Sequence, residues 1–183
     1  MTLRVRAFSM IPPSMLRPFV VRRLFRSTAD AFGTPPPTLR GMFGGDLLRA
    51  YGAFSNARSE LLLSRGGDLE AVRRNLWISA RRIGVLLRRC LCIRTDADAM
   101  VAARAVYRVL DIDLRGSPAG DVVVARCSFA RIYSPEVCAL MSSLDAGLFA
   151  GLTGGRRLTF AQRLTEGAPA CVATLTPPEE VAA

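Results

Sequence analysis

The sequence predicts an α+β fold, a helical N-terminal half followed by an antiparallel hairpin–helix–hairpin unit. Three observations carry that expectation. Up to about residue 107 the apolar residues recur with a helical period, punctuated by Pro, Gly and capping residues. From Val109 onward the pattern turns to strand-like alternation. Between two strand pairs lies a helix with strong boundary signals, Ser134-Pro135-Glu136 before it and Thr153-Gly154-Gly155 after it. A chain of 183 residues is long enough to bury one good core. The expected organisation is one domain: a helical scaffold over 1–95, an α+β unit over 96–175 carrying the site, and a flexible tail over 176–183.

The first 29 residues hold six arginines and no acid. That composition is similar to a mitochondrial transit peptide, but its second half reads as an amphipathic helix over 15–32. In this helix Leu16, Phe19, Val20, Leu24 and Phe32 are expected to cover the core, with Arg17, Arg22, Arg23 and Arg26 in water. Gly33-Thr34-Pro35-Pro36-Pro37 forbids helix and marks an extended connection. A second helix is expected over 45–63, with Leu47, Leu48, Tyr51 and Phe54 on one side, ended by Arg65-Gly66-Gly67. Asp68 is a good N-cap for the longest helix, 69–92. Its pairs Arg73-Arg74, Arg81-Arg82 and Arg88-Arg89 share one face, opposite Leu69, Val72, Leu76, Ile83, Leu86 and Leu87. Such a stripe is a solvated face or, alternatively, an anion- or partner-binding one. Cys90-Leu91-Cys92 is spaced too tightly for a zinc knuckle and reads as two packing thiols. Thr95 or Asp96 caps a fourth helix to about Tyr107.

Two strands are expected next, over 109–114 and 121–129, joined by turn residues at 115–120. The fifth helix, 135–152, has Pro at its first position and Glu136 at the positive end of its dipole. A second hairpin follows, 157–164 and 170–175, around Glu166-Gly167-Ala168-Pro169.

Composition limits the chemistry more than it limits the fold. All 25 basic residues are arginine, with no lysine and no histidine, and the net charge is +10. Arginine without lysine, beside abundant Ala, Gly and Pro, points to GC-rich bacterial coding. Lack of histidine excludes a Ser-His-Asp triad, a Cys-His dyad and imidazole metal ligands. Lack of lysine excludes a Schiff base and a lysine-bearing phosphate loop. Proton transfer is left to Asp, Glu, Tyr, Cys or water. No apolar run is expected to span a membrane, because arginines interrupt the long candidates. The odd number of cysteines, five, gives no support for a disulfide scaffold and fits a reducing cytoplasm.

Three of those cysteines, Cys127, Cys138 and Cys171, lie in the C-terminal third with Asp145. Cys138 and Asp145 are seven residues apart on the fifth helix and so fall within about 20° of each other. Ser142 lies between them. Cys138, near the helix N-terminus, has the position of a low-pKa nucleophile, and Arg126 and Arg131 add positive potential. Alternatively, the three thiolates and Asp145 hold a zinc ion with water nearby, or the thiols are buried apolar residues.

The pattern Cys127-Ser128-Phe129, Cys138, Asp145, Gly151, Arg163-Leu164, Gly167 and Cys171 resembles the L-2-amino-thiazoline-4-carboxylic acid hydrolase family over about residues 100–175. Those are small, mostly bacterial α+β proteins with a Cys-rich C-terminal half. The chain departs from the family pattern at Gly167-Ala168-Pro169-Ala170, where an acidic residue commonly precedes the last cysteine. The resemblance implies hydrolysis of a cyclic C=N bond at a site with Cys138, Asp145, Cys127 and Cys171 as catalytic residues. Asp145 would protonate the ring nitrogen or orient water, and Arg163 would pair with the substrate carboxylate. Arg126, Ser142 and Tyr133 complete the expected substrate-binding set.

Two other functions compete with the cytoplasmic hydrolase. One is a non-enzymatic small-ligand or metal-binding module similar to vinyl-reductase-type (V4R) domains, with zinc as its metal. The other is an Arg-rich nucleic-acid or partner-binding protein, ranked last because no nucleic-acid-binding signature accompanies the arginines. The partners expected are a small-molecule substrate and, at most, further copies of the chain.

Overall fold

In the computed structural model, which describes residues 1–117 and 119–178, the fold is α+β. The described residues form α1 (Leu3–Met10), α2 (Pro13–Ala31), α3 (Gly44–Ser64), α4 (Leu69–Cys90), α5 (Asp96–Val109), β1 (Asp113–Gly116), β2 (Asp121–Arg126), α6 (Pro135–Thr153), β3 (Arg157–Gln162) and β4 (Cys171–Thr176), with a single 3-10 turn at Leu164–Glu166. The end of the expected tail, 179–183, lies outside the described residues, as does Pro118 of the first turn.

Capping chemistry fixes four helix starts, three of them where the sequence puts them, whereas α1 has no counterpart among the expected elements. Thr2, Asp68, Thr95 and Ser134 each accept a backbone N–H from the first turn of α1, α4, α5 and α6. Each such cap stabilises its helix by about 1 kcal/mol. At the other end of α6, Gly154 takes the left-handed conformation (φ 83°), and the Arg88 guanidinium donates to the Leu152 carbonyl at 2.8 Å.

The strands form one antiparallel sheet in the order β1-β2-β4-β3. The expected hairpins are both present, but β2 and β4 also pair, with Val124 opposite Cys171 and Asp121 opposite Thr174. The two hairpins are therefore one sheet that α6 crosses over. Leu114, Val122, Val124, Leu158, Cys171, Ala173 and Leu175 are buried along it, and α5 and α6 pack against it.

α4 and α6 share the most intimate helix contact. A Cβ at Gly84 would meet the Leu148 carbonyl oxygen at 2.5 Å, and one at Gly151 would meet the Gly84 Cα at 2.7 Å. Only glycines permit that approach. α6 is long and apolar enough, by length and composition, to cross a membrane, with a mean hydropathy of 1.2, contrary to the expectation that no run qualifies. Half of that stretch is buried inside the protein, as a central core helix would be.

Three further expectations are corrected. The buried face of α2 is Val21, Phe25 and Thr28, whereas Phe19 is 75% exposed. Both stripes are apolar enough to serve, and packing of Phe25 against Tyr51 and Phe54 of α3 selects the first. α4 ends at Cys90 because Cys92 turns left-handed (φ 53°), and both cysteines are exposed, not packed; Leu86 is exposed too. α5 continues through Val109, so β1 begins only at Asp113, and β2 stops at Arg126, leaving Cys127 to Phe129 outside the strand.

Candidate functional site: a polar cluster in an apolar cavity

A cavity of about 400 Å³ lies among α2, α5, α6 and the sheet. Its wall is almost wholly apolar, with Leu16, Val20 and Leu24 of α2, Val106 of α5, and Leu148 and Phe149 of α6 among the contributors. The α2 stripe expected to cover the core thus lines this space. All three cysteines of the C-terminal third and Asp145 border it.

Each reaches the cavity for a local reason. Ser134 and Pro135 start α6 so that Cys138 falls in its first turn, and helical phase brings Asp145 to the same side two turns later. Cys127 follows the end of β2. Cys171 begins β4, and its Sγ accepts the Leu164 N–H at 3.3 Å. Ser142 also borders the cavity, but its hydroxyl is committed to the Ala139 carbonyl at 2.8 Å.

Asp145 is the electrostatic centre. Its Oδ1 accepts the Tyr107 hydroxyl at 2.5 Å. Protein atoms surround the carboxylate and strip away water, which pushes its pKa from 3.8 up to about 6; the Tyr107 hydrogen bond and the Arg163 charge offset part of that rise. Its charge in turn raises the pKa of six neighbours: Tyr51, Tyr107, Tyr133, Cys127, Cys138 and Cys171.

The thiols do not behave as the position of Cys138 predicts. Burial is the largest influence on all three and raises each pKa, that of Cys127 to about 12. Thr165 beside Cys138 and the Leu164 N–H on Cys171 counter this only in part. Desolvation outweighs the helix dipole, and the thiols are protonated at neutral pH. Among the described residues no group of three or more Cys, Asp or Glu side chains is placed to hold a metal ion. The zinc arrangement of Cys127, Cys138, Cys171 and Asp145 therefore finds no support in their geometry.

The remaining expected residues divide. Arg163 borders the cavity, its guanidinium 4.9 Å from the Phe160 ring centroid and its Nη1 3.2 Å from Glu166. Its Nε is buried without a hydrogen-bond partner. Tyr133 borders the cavity, stacked on Phe129 and with its hydroxyl 2.6 Å from Ser55 Oγ. Arg126 does not: it ends β2 opposite Asp113, at a register shift, and is exposed.

Two groups at the site escaped sequence reasoning, Tyr107 and Thr165. Thr165 presents a buried hydroxyl beside the Cys138 thiol. For Tyr107 a faint signal existed. The chain has three tyrosines, Tyr51, Tyr107 and Tyr133, and all three border the cavity. Tyr51 sits on the same helix face as Leu47 and Leu48, where a phenol must find a partner; it finds Thr28 Oγ1 at 3.0 Å.

Fold and site together define an α+β protein with a largely apolar cavity of about 400 Å³ bordered by a buried carboxylate. No family model matches the chain, and no curated protein matches it.

Proposed function

We propose that the chain binds a small molecule with an apolar body and one polar end in this cavity. The observation that carries the reading is an apolar space of about 400 Å³ bordered by the buried Asp145 carboxylate and by Arg163, whose buried Nε has no partner. An unpaired buried donor costs about 1–3 kcal/mol, which a ligand acceptor recovers. An acceptor such as a carboxylate or carbonyl suits Arg163; an N–H of the same ligand suits the Asp145 carboxylate. The volume lies within the range of ordinary small-molecule pockets.

The test is saturable binding of anilinonaphthalene sulfonate, an apolar fluorophore with an acidic group. One site per chain is expected, lost in Ser142→Phe, which puts a ring into the cavity between Cys138 and Asp145. Fluorescence that fails to saturate, or that survives Ser142→Phe in a folded protein, would overturn the reading.

A second reading, a hydrolase of C=N bonds, is favoured by one observation: the Asp145 carboxyl, pushed up to about 6, is poised to take and return a proton near neutral pH. In that reaction the oxygen of water adds to the C=N carbon while Asp145 accepts one of its protons and delivers it to the nitrogen. Asp145 then passes the proton of the new hydroxyl to the same nitrogen, so that the carbonyl forms as the carbon–nitrogen single bond breaks and the ring opens. The protonated thiols make Asp145, not Cys138, the principal group. Turnover of 2-amino-thiazoline-4-carboxylate that Cys138→Ser keeps and Asp145→Asn loses is the expected result; turnover lost in Cys138→Ser alone would restore the thiol.

A further inference from the structure

The N-terminal helices carry a second feature that the cavity does not explain. Met10, Met15 and Phe19 are 74%, 63% and 75% exposed, a run of large apolar side chains that a water-facing surface has no use for. On α2, Met15, Phe19, Arg22 and Arg26 recur at spacings of four, three and four, which places them on one outward stripe. Arg22, Arg23 and Arg26 are exposed and form no ion pair among the described residues. No acid precedes Asp30, at the far end of the helix. Asp111, a carboxylate that the fold brings to α2, is engaged by Arg17 at 2.5 Å. The opposite face of α2 is fully used, with Val21, Phe25 and Thr28 in the core.

We infer that this face of α2 docks on a bilayer containing anionic phospholipid. Apolar side chains at one end of the stripe enter the headgroup region, and the unpaired arginines at the other meet phosphate, the division of labour that interfacial helices use. A purely electrostatic partner would leave Met10, Met15 and Phe19 in water. A purely apolar one would bury three uncompensated guanidinium groups.

The stripe also adjoins the cavity. Phe19 and Arg23 are exposed and line it, so the cavity reaches the surface along α2. Docking turns that opening toward lipid. That the cavity then takes its apolar ligand from the bilayer rests on the ligand-binding reading proposed above.

The full chain is sedimented with vesicles of phosphatidylcholine, with and without phosphatidylglycerol. Binding to the anionic vesicles is expected to be at least tenfold tighter and to fall when salt is raised from about 0.1 M to about 0.5 M. Arg22→Gln with Arg26→Gln should weaken it by about fivefold per arginine. Met10→Gln with Met15→Gln should weaken it roughly tenfold. None of these four residues borders the cavity, so anilinonaphthalene sulfonate uptake without vesicles stays unchanged and circular dichroism confirms the fold. No sedimentation with either vesicle, equal partition into both, or undiminished binding by either double variant overturns the inference. Vesicle binding without fluorophore uptake sinks the ligand reading and leaves docking intact; uptake without vesicle binding does the reverse.

Discussion

Along one side of α6, Gly147 and Gly151 press so closely against α4 that no Cβ fits, whereas along the other Cys138, Ser142 and Asp145 border about 400 Å³ of space. The two sides belong to the same five turns of helix. Protein interiors pack to the density of organic crystals, and voids larger than a water molecule are few. A helix held this tightly on one side has not left a void on the other through poor packing. The dense side fixes the position and rotation of α6, and so presents Cys138 and Asp145 to the cavity as a rigid edge. Precision at a site depends on such support behind it.

Overfilling the dense side of α6 has the largest expected effect. Gly151→Val should destabilise the protein by about 3 kcal/mol or more, because the new side chain meets the Arg81 carbonyl and the Gly84 Cα, both backbone. Better helix propensity returns less than about 1 kcal/mol of that. The urea midpoint measures it. A midpoint unchanged from wild type would mean that α4 and α6 can separate without cost, and that the cavity edge is not rigidly held.

The hollow side responds to pH instead. Asp145 has a folded pKa of about 6 against an unfolded value of 3.8, so the native state holds the extra proton between those values. Its contribution to stability is therefore full below about pH 4 and is lost as pH rises through about 6, a swing of roughly 2–3 kcal/mol. Asp145→Asn keeps an acceptor for Tyr107 and cannot ionise. It should match wild type at about pH 4 and exceed it by that amount at neutral pH. Urea unfolding of both proteins across this range gives the answer; parallel stability curves would show that the carboxylate is well solvated. A gain in stability on removing a charge would mark Asp145 as a residue kept for a purpose other than folding.

How much of this was legible beforehand follows a physical divide. Helix boundaries at Asp68, Thr95, Ser134 and Gly154 depend on a few adjacent residues, and they were readable. So was the alignment of Cys138 with Asp145, which only helical phase decides. Pairing of β2 with β4 joins residues about 50 apart, and no local signal announces it. The core face of α2 is not decided by periodicity because that helix has two apolar stripes, one for the core and one for the cavity. The thiol protonation state differs from the expectation for a related reason. A helix N-terminus is visible in a sequence, but the desolvation that overrides it at Cys138 depends on what the rest of the chain brings near.

Substitution of Arg163 has the smallest expected effect. It borders the cavity, where its charge holds the pKa of Asp145 lower than burial alone would. Arg163→Met preserves length over the Phe160 ring and removes the charge. The cost to stability should be about 1 kcal/mol, the worth of a partly exposed ion pair with Glu166 and a cation–π contact. The Asp145 midpoint should move up, as should those of Cys138 and Cys171, whose thiolates the same guanidinium favours. Carbon-13 titration of the Asp145 carboxyl reads the first shift directly. A midpoint that falls or stays fixed would mean that Glu166 neutralises Arg163 completely, and Arg163 would then offer a ligand acceptor hydrogen bonds but no net charge.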